Sequence, residues 1–136
     1  MSGTVARCQW HSNERQAMRP FEKIQVYHKA HASTLQVYKT TKHFPEDERF
    51  GITSQFRRAS SSVTLNIVEG RARRTTRDFL RFLNQSKGSL EECEYLLILS
   101  KDLGYLPANE FKQLDEMRAE ISRMLTGLSN ALRKKV

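Results

Sequence analysis

Hydrophobic residues recur every three or four positions along four long segments of the chain, which is the spacing of one face of an α-helix. The segments cover residues 21–41, 45–70, 75–103 and 106–132. In the first segment the predicted stripe is Ile24, Tyr27, His31, Leu35 and Tyr38. In the second it is Ile52, Phe56, Ala59, Val63 and Ile67.

The third segment carries a heptad-like seam, in which apolar and small residues alternate in steps of four and three. Its members are Phe79, Leu83, Ser86, Leu90, Cys93, Leu97 and Ser100. A second apolar row consists of Phe82, Leu96, Leu99 and Leu103, so this helix is predicted to be buried on two sides. The fourth segment has the seam Phe111, Leu114, Met117, Ile121, Met124 and Leu128.

Residues that start and stop helices support these boundaries. Pro45 followed by three acidic residues predicts the start of the second helix, and Gly70 is predicted to end it in a left-handed conformation. Thr75 with Asp78 resembles a capping box at the start of the third helix, which Gly104 ends. Residues 62–67 also alternate as a half-buried strand would, but the length of the stripe favours a helix.

Four amphipathic helices joined by short connections predict an all-α fold, an antiparallel up-and-down four-helix bundle formed by residues 21–136. Residues 1–20 lack a sustained period and end at Pro20, so they are predicted to be a flexible basic tail. A slender bundle with a doubly apolar third helix leaves surface for a partner, and we therefore expect self-association.

Positive charge is concentrated in two parts of the chain, which carries +8 overall. Residues 71–90 alone carry +5, and one cluster there consists of Arg71, Arg73, Arg74, Arg77 and Arg81. Arginine binds phosphate well, because its planar fork donates two hydrogen bonds and its charge does not titrate. The cluster is predicted to contact a polyanion, most simply nucleic acid. The alternative is a solvated, arginine-rich loop and helix start.

Several classes of protein find no support in the sequence. The longest unbroken apolar run, residues 95–99, is far shorter than a membrane span of about 20 residues, and the first 20 residues lack the apolar core of a secretory signal. Two cysteines far apart indicate a cytoplasmic protein with reduced thiols. The pairs Cys8 with His11 and His28 with His31 lack the further ligands of a zinc site. No nucleophile and base form a recognisable pair, so we expect no enzymatic activity, no cofactor and no metal.

Aromatic residues offer a second route to nucleic acid, since unpaired bases stack on exposed rings. Phe50, Phe56, Phe79 and Phe82 lie on the predicted apolar stripes, so we expect them in the core. Trp10 and Tyr105 are less constrained, but nothing around them makes a stacking platform.

Three segments of the chain carry motifs of a known family. These are Phe44, Pro45, Glu48, Gly51, Ile52, Gln55, Arg57, Arg58 and Ala59, then Ser62, Val63, Asn66, Ile67, Glu69 and Gly70, then Phe82, Leu83, Ser86, Gly88, Ser89 and Glu92. Over residues 21–133 the chain resembles the small four-helix-bundle proteins encoded in intervening sequences of bacterial large-subunit ribosomal RNA genes. The same family includes the accessory variability protein of diversity-generating retroelements.

This resemblance implies a homopentameric barrel of bundles with a basic surface. In the retroelement branch the assembly binds nucleic acid and a reverse transcriptase, and supports mutagenic cDNA synthesis from a template RNA; in the ribosomal branch the role is largely undefined. By position, the resemblance assigns caps and close helix contacts to Asn66, Glu69, Gly70, Gly88, Ser89 and Glu92. It also identifies seven arginines as candidates for phosphate contact, which are Arg57, Arg58, Arg71, Arg73, Arg74, Arg77 and Arg81. For Arg57 and Arg58 a salt bridge to Glu69 or Glu92 is the alternative.

Two functions therefore compete. The first is a non-enzymatic scaffold that binds RNA or DNA with weak sequence specificity and assists a reverse transcriptase. The second is a protein-protein interaction module encoded in a ribosomal RNA intervening sequence, whose basic face docks an acidic partner.

Overall fold

The structure is a computed structural model that describes residues 18–136. Four long helices make up most of this range. They are α1 (Gln25–Thr41), α2 (Ile52–Arg71), α3 (Thr76–Asp102) and α4 (Ala108–Arg133). Short 3-10 turns at Pro20–Lys23 and Glu46–Glu48 precede α1 and α2. No strand occurs in this range, so the predicted all-α fold is confirmed. The predicted tail lies outside the described residues except for its last three positions.

The helices pack as an antiparallel four-helix bundle. Each helix packs against the next along the chain and α1 packs against α4, whereas within residues 18–136 the backbones of the diagonal pairs, α1 with α3 and α2 with α4, lie farther apart. The register of α2 against α3 shows the direction, because Val63 lies opposite Ser86 and the later Gly70 lies opposite the earlier Phe82. The Ser86 hydroxyl donates to the Val63 carbonyl at 2.8 Å. Successive helices therefore run in opposite directions, as predicted.

The core is built largely from the stripes that the sequence predicts for α2 and α3. All five predicted residues of α2 are buried, and Phe56 and Ile67 are fully enclosed. The seam of α3 is buried from Leu83 to Ser100, with Phe79 partly buried at its start. In α4 the predicted Leu114 and Ile121 are buried, and Leu125, absent from the predicted seam, is fully enclosed as well. Their burial confirms these stripes, which the sequence predicts well because they consist of strongly apolar residues.

The face predicted for the first helix is confirmed at its start, where Ile24 and Tyr27 are partly buried against the core, and is wrong farther along α1. Leu35 is 58% exposed and Tyr38 is also exposed, whereas the buried apolar residues of this helix are Val26, Ala30 and Val37. The reason is that α1 packs closely against α2 through polar residues, and a hydropathy pattern predicts such residues to face solvent. There the Thr34 hydroxyl lies within hydrogen-bond distance of the Ser60 carbonyl and hydroxyl, at 3.1 and 3.2 Å.

The predicted start of α2 at Pro45 is also wrong. The acidic residues after Pro45 form a separate 3-10 turn, and α2 begins only at Ile52. The Glu48 carboxylate accepts hydrogen bonds from the Ile52 amide at 3.2 Å and from the Tyr105 hydroxyl at 2.9 Å. Glu48 thus stabilises the positive end of α2 from outside the helix and joins it to the connection between α3 and α4.

Two of the three predicted helix ends are confirmed. Thr75 caps α3, since its hydroxyl accepts from the Asp78 amide at 3.1 Å, and Gly104 is left-handed with φ of 81°. Gly70, however, lies inside α2, which continues through Arg71, and its φ is not positive. A Cβ at Gly70 would lie 2.8 Å from Cβ of Phe82, so glycine is needed here for the close approach of α2 and α3.

Cys93 is buried in the seam of α3, and its thiol makes stability depend on pH. Burial raises the pKa of the Cys93 thiol to about 12 from 9.0, and the charge of Glu92 adds to the shift. Above pH 9 the unfolded chain releases this proton while the folded chain keeps it. We expect the free energy of unfolding to fall by about 1.4 kcal/mol per pH unit from this thiol between pH 9 and 12.

Urea denaturation across this pH range, with Cys93→Ala as the reference, measures that contribution. The variant should lack this part of the decline, because its other titrating groups are unchanged. If the free energy of unfolding fell equally steeply with pH in both proteins, the thiol would titrate alike in the folded and unfolded chains.

Candidate nucleic-acid interface

The predicted arginine cluster lies where α2 passes into α3. Arg71 ends α2, Arg73 and Arg74 lie in the connection, and Arg77 and Arg81 lie in the first turns of α3. All five are exposed. Because the chain reverses direction over four residues, side chains from two helices and their connection project from one end of the bundle.

Two of these arginines are positioned by neighbouring groups. The Arg73 Nε donates to the Glu69 carbonyl at 3.1 Å, and Arg81 pairs with Asp78 at 3.8 Å. Both guanidinium groups lie near the ring of Phe82, at 5.3 and 5.0 Å from its centroid. These contacts restrict the two side chains while leaving them exposed, so less conformational entropy is lost when they bind a ligand.

The other three arginines make no hydrogen bond or ion pair with the part of the chain that the structure describes. Arg71, Arg74 and Arg77 are exposed, and their guanidinium groups keep all of their donors for a ligand. The amide groups at the start of α3 favour an anion at the same place, since they lie at the positive end of the helix dipole. The electrostatics of this end therefore favour phosphate.

Antiparallel packing adds further basic residues to the cluster. The end of α4 lies at the same end of the bundle as the α2–α3 connection, and the turn at Pro20–Lys23 contacts α2 there. Lys29, near the start of α1, pairs with Glu120 at the middle of α4 at 3.4 Å, so these two helices lie side by side. We call the surface the basic end. It consists of Lys23, Arg71, Arg73, Arg74, Arg77, Arg81, Arg133, Lys134 and Lys135.

The sequence predictions did not place the C-terminal residues in the site. Arg133, Lys134 and Lys135 are more than 50 positions from the arginine cluster along the chain, so the local charge pattern does not connect them to it. A run of three basic residues at the end of a helix is the one signal that could have identified them. Only the up-and-down topology connects that signal to the cluster.

Arg57 and Arg58 do not join the other five candidates. They precede Arg71 by more than ten positions on α2, which places them about 20 Å away along the helix axis. The Arg57 Nε donates to the Thr41 hydroxyl at 2.8 Å, and its Nη2 donates to the Tyr38 carbonyl at 3.3 Å. Arg57 therefore stabilises the end of α1, and the seven candidates do not form one site.

Neither Glu69 nor Glu92 pairs with these two arginines in the described chain. Arg58 is exposed and makes no hydrogen bond or ion pair there, unlike Arg57, whose partners are on α1. Adjacent residues on a helix point about 100° apart, so one side chain turns toward α1 while the other faces solvent.

The predicted burial of the aromatic residues is correct for Phe56 and wrong for Phe50. Phe56 is fully enclosed, whereas Phe50 is 88% exposed, and Phe79 and Phe82 lie between these extremes. Phe50 is exposed because it precedes α2 and therefore does not continue the apolar stripe of that helix. Its ring instead lies 5.2 Å from the Arg49 guanidinium.

The core of the described residues encloses a very small cavity. A cavity of about 10 Å³ lies among apolar residues beside Cys93, which is space for about one water molecule. Between residues 18 and 136, no three His, Cys, Asp or Glu side chains come together as metal ligands. The pair Cys8 with His11, like Trp10, lies outside the described residues. None of the four helices is long and apolar enough to cross a membrane.

A family model and a solved structure match the chain. The structure is described as a protein with unknown function from the S23 ribosomal protein family of Bacteroides thetaiotaomicron. It has a TM-score of 0.72 to this chain at 22% sequence identity, over 77% of this chain and 95% of that one. At this identity the likeness shows the fold alone. A comparison with curated proteins finds no match.

The family model is that of the 23S rRNA-intervening sequence protein, and it matches residues 22–127. This range starts in the first 3-10 turn and ends near the end of α4, so it contains all of α1, α2 and α3 and the arginine cluster. This match confirms the resemblance to the ribosomal RNA intervening-sequence proteins. The chain belongs to the 23S rRNA-intervening sequence protein family.

Proposed function

We propose that the protein is a non-enzymatic nucleic-acid-binding scaffold whose basic end contacts phosphate. The observation that carries this proposal is the set of exposed arginines at the α2–α3 connection, three of which have no partner among the described residues. The basic residues at the end of α4 enlarge the same positive surface.

Binding through this surface depends mainly on phosphate. Exposed guanidinium groups at a helix start have no fixed geometry for reading base edges, and phosphate contacts carry no sequence information. The interaction is therefore weakly sequence-specific, steeply dependent on salt, and suited to a structured RNA or an RNA-DNA hybrid.

A reverse transcriptase is the protein partner that we propose. The resemblance to the accessory protein of diversity-generating retroelements supports a role in template-RNA-directed cDNA synthesis, in which this protein holds nucleic acid beside the enzyme. The same resemblance supports a homopentamer, which would carry a formal charge of about +40 and a strong field for RNA. Exposed apolar side chains such as Leu65 on α2 and Ile98 on α3 supply surface for contacts between subunits.

A protein-protein interaction module is the second candidate. The observation that favours it is the exposure of large apolar residues on three helices, which are Leu35, Tyr38, Leu65, Tyr95 and Ile98. A protein that co-purifies after nuclease treatment, with no measurable RNA affinity in the pure chain, would favour this function over the first.

Salt titration tests the proposed function. We expect the affinity of the nuclease-treated protein for a labelled structured RNA to fall linearly in a plot of log K against log salt between about 50 and 300 mM. The slope should be about −0.9 for each duplex phosphate neutralised. No binding at the lowest salt would contradict the proposal and leave the basic end to an acidic protein.

A further inference from the structure

A second basic surface lies at the end of the bundle opposite the basic end. It is an open groove between the last turn of α1 and the first turns of α2. Its lining includes Tyr38, Arg49, Phe50, Arg57 and Arg58. Its volume of about 540 Å³ lies within the range of ~300–1,000 Å³ that is typical of small-ligand sites. We call this surface the aromatic groove.

The aromatic rings of this groove are available for stacking. Phe50 is 88% exposed, and the Arg49 guanidinium lies over its ring at 5.2 Å from the centroid. One guanidinium covers one face of a ring, so the other face is open. Tyr38 is also exposed, with the Arg57 guanidinium 4.7 Å from its centroid. The groove therefore presents flat apolar surfaces bordered by positive charge.

The charged side chains that line the groove are all arginines, and the acidic turn Glu46–Glu48 lies next to it in the chain. Arg49, Arg57 and Arg58 line it, and no acidic side chain of the described residues does. Arg57 is held by its hydrogen bonds to Thr41 and to the Tyr38 carbonyl, whereas Arg58 is exposed. One guanidinium is thus fixed in place and another is available, an arrangement that is complementary to an anion.

Open rings together with guanidinium groups match the chemistry of an unpaired nucleotide. Its base has a flat face that stacks on aromatic side chains, and its phosphate accepts hydrogen bonds from arginine. Bases inside a duplex are already stacked on each other, so their faces are not available. Phosphate alone would explain the arginines but not an aromatic ring kept almost fully in solvent.

We propose that the aromatic groove binds an unpaired segment of single-stranded nucleic acid, with a base stacked on Phe50 and phosphate held by Arg58. This inference rests on the proposed function and deepens it, because it assigns duplex or structured regions to the basic end and unpaired nucleotides to the groove. The two surfaces lie at opposite ends of α2, so one protein would hold a strand next to a structured region.

A second copy of the chain could cover the groove only with a different surface. A two-fold contact through the groove would bring the arginines of both copies together, and like charges at an interface repel. In a cyclic pentamer the contacts join two different surfaces, and the oligomeric mass of Phe50→Ala tests whether the groove takes part in such a contact. A nucleic-acid strand brings the negative charge that the groove lacks.

Phe50→Ala tests the stacking contact. The probes are an unstructured pyrimidine oligoribonucleotide of about 15 nucleotides, a strand of the same length whose sugars carry no bases, and a matched duplex. We expect the variant to bind the base-bearing strand about 10-fold more weakly than the wild type, and the duplex equally well. The wild type should prefer the base-bearing strand over the abasic one, and the variant should lose that preference.

Two control variants separate stacking from other effects. Phe50→Tyr keeps a flat ring and should retain the preference. Tyr95→Ala removes an exposed aromatic residue from α3, where Glu91, Glu92 and Glu94 surround it in the sequence, and it should bind all three probes like the wild type. Circular dichroism of each variant should remain helical, because both side chains are exposed.

The outcomes distinguish failure of this inference from failure of the proposed function. Salt-dependent duplex binding, with Phe50→Ala indistinguishable from the wild type on the base-bearing strand, would overturn the groove proposal alone. A lower oligomeric mass of Phe50→Ala in sedimentation would also overturn it, by showing that another copy covers the groove. If the wild type binds none of the probes at low salt, the proposed function fails and the groove proposal fails with it.

Discussion

Replacing the five arginines of the α2–α3 connection with alanine should reduce RNA affinity by orders of magnitude at about 0.1 M salt. Each lost phosphate contact removes about 0.9 from the slope of log K against log salt on a duplex, so losing all five flattens it by about 4.5. The variant changes Arg71, Arg73, Arg74, Arg77 and Arg81. Equilibrium binding across a salt series measures both effects, and circular dichroism checks that the helices persist.

A matched pair of smaller variants controls for net charge. Arg71, Arg74 and Arg77 make no hydrogen bond or ion pair with the described residues, so changing these three to alanine removes charge without removing such contacts. The reference variant changes three exposed lysines near the other end of the bundle, which are Lys39, Lys42 and Lys112. Both lose the same charge, but we expect only the arginine variant to lose most of its affinity. Equal losses would mean that overall charge, and not the basic end, attracts RNA.

Phe56→Ala should reduce the free energy of unfolding by about 3–5 kcal/mol. The ring is fully enclosed among α1, α2, α3 and α4, with Val37, Leu97 and Leu114 lining the small cavity beside it. Removing it loses transfer free energy and leaves a cavity that a rigid bundle fills only partly. Because small domains are stable by only about 5–15 kcal/mol, this one change should remove much of the stability. Urea denaturation at fixed protein concentration measures the effect.

Phe50→Ala is the matched control for this prediction. It removes the same side chain six positions earlier, from a ring that is 88% exposed, so the free energy of unfolding should change by about 0.5 kcal/mol or less. A loss at Phe50 as large as that at Phe56 would show that another molecule buries the Phe50 ring. Fixed protein concentration matters here because self-association would add to the apparent stability.

The helices that the sequence predicted best are those with the most apolar stripes. In α2 and α3, residues such as Phe56, Ile67 and Leu83 mark the buried face unambiguously, and the structure confirms it. In α1 the buried face contains Ala30, and the partly buried Thr34 hydrogen-bonds to Ser60 of α2, while Leu35 and Tyr38 face outward. A pattern of hydrophobicity follows apolar area, and it fails where small and polar residues form the close contact.

The candidate site was predicted in part. Five arginines within residues 71–81 mark a basic connection whatever the tertiary structure, and all five are exposed. Two errors remained, because Arg57 contacts Thr41 and the Tyr38 carbonyl of α1 and Phe50 lies in solvent. Both depend on which helix lies beside the start of α2, and no spacing within α2 contains that information.

The sequence by itself determined the helices, their number, the antiparallel topology and the position of the arginine cluster, because helical periodicity, capping residues and local charge are properties of neighbouring residues. Only the tertiary structure decided which face of α1 is buried, that the Arg57 guanidinium bonds to the end of α1, and that the Phe50 ring lies in solvent. These outcomes depend on contacts between residues far apart in the chain, which helix packing creates and local pattern does not contain.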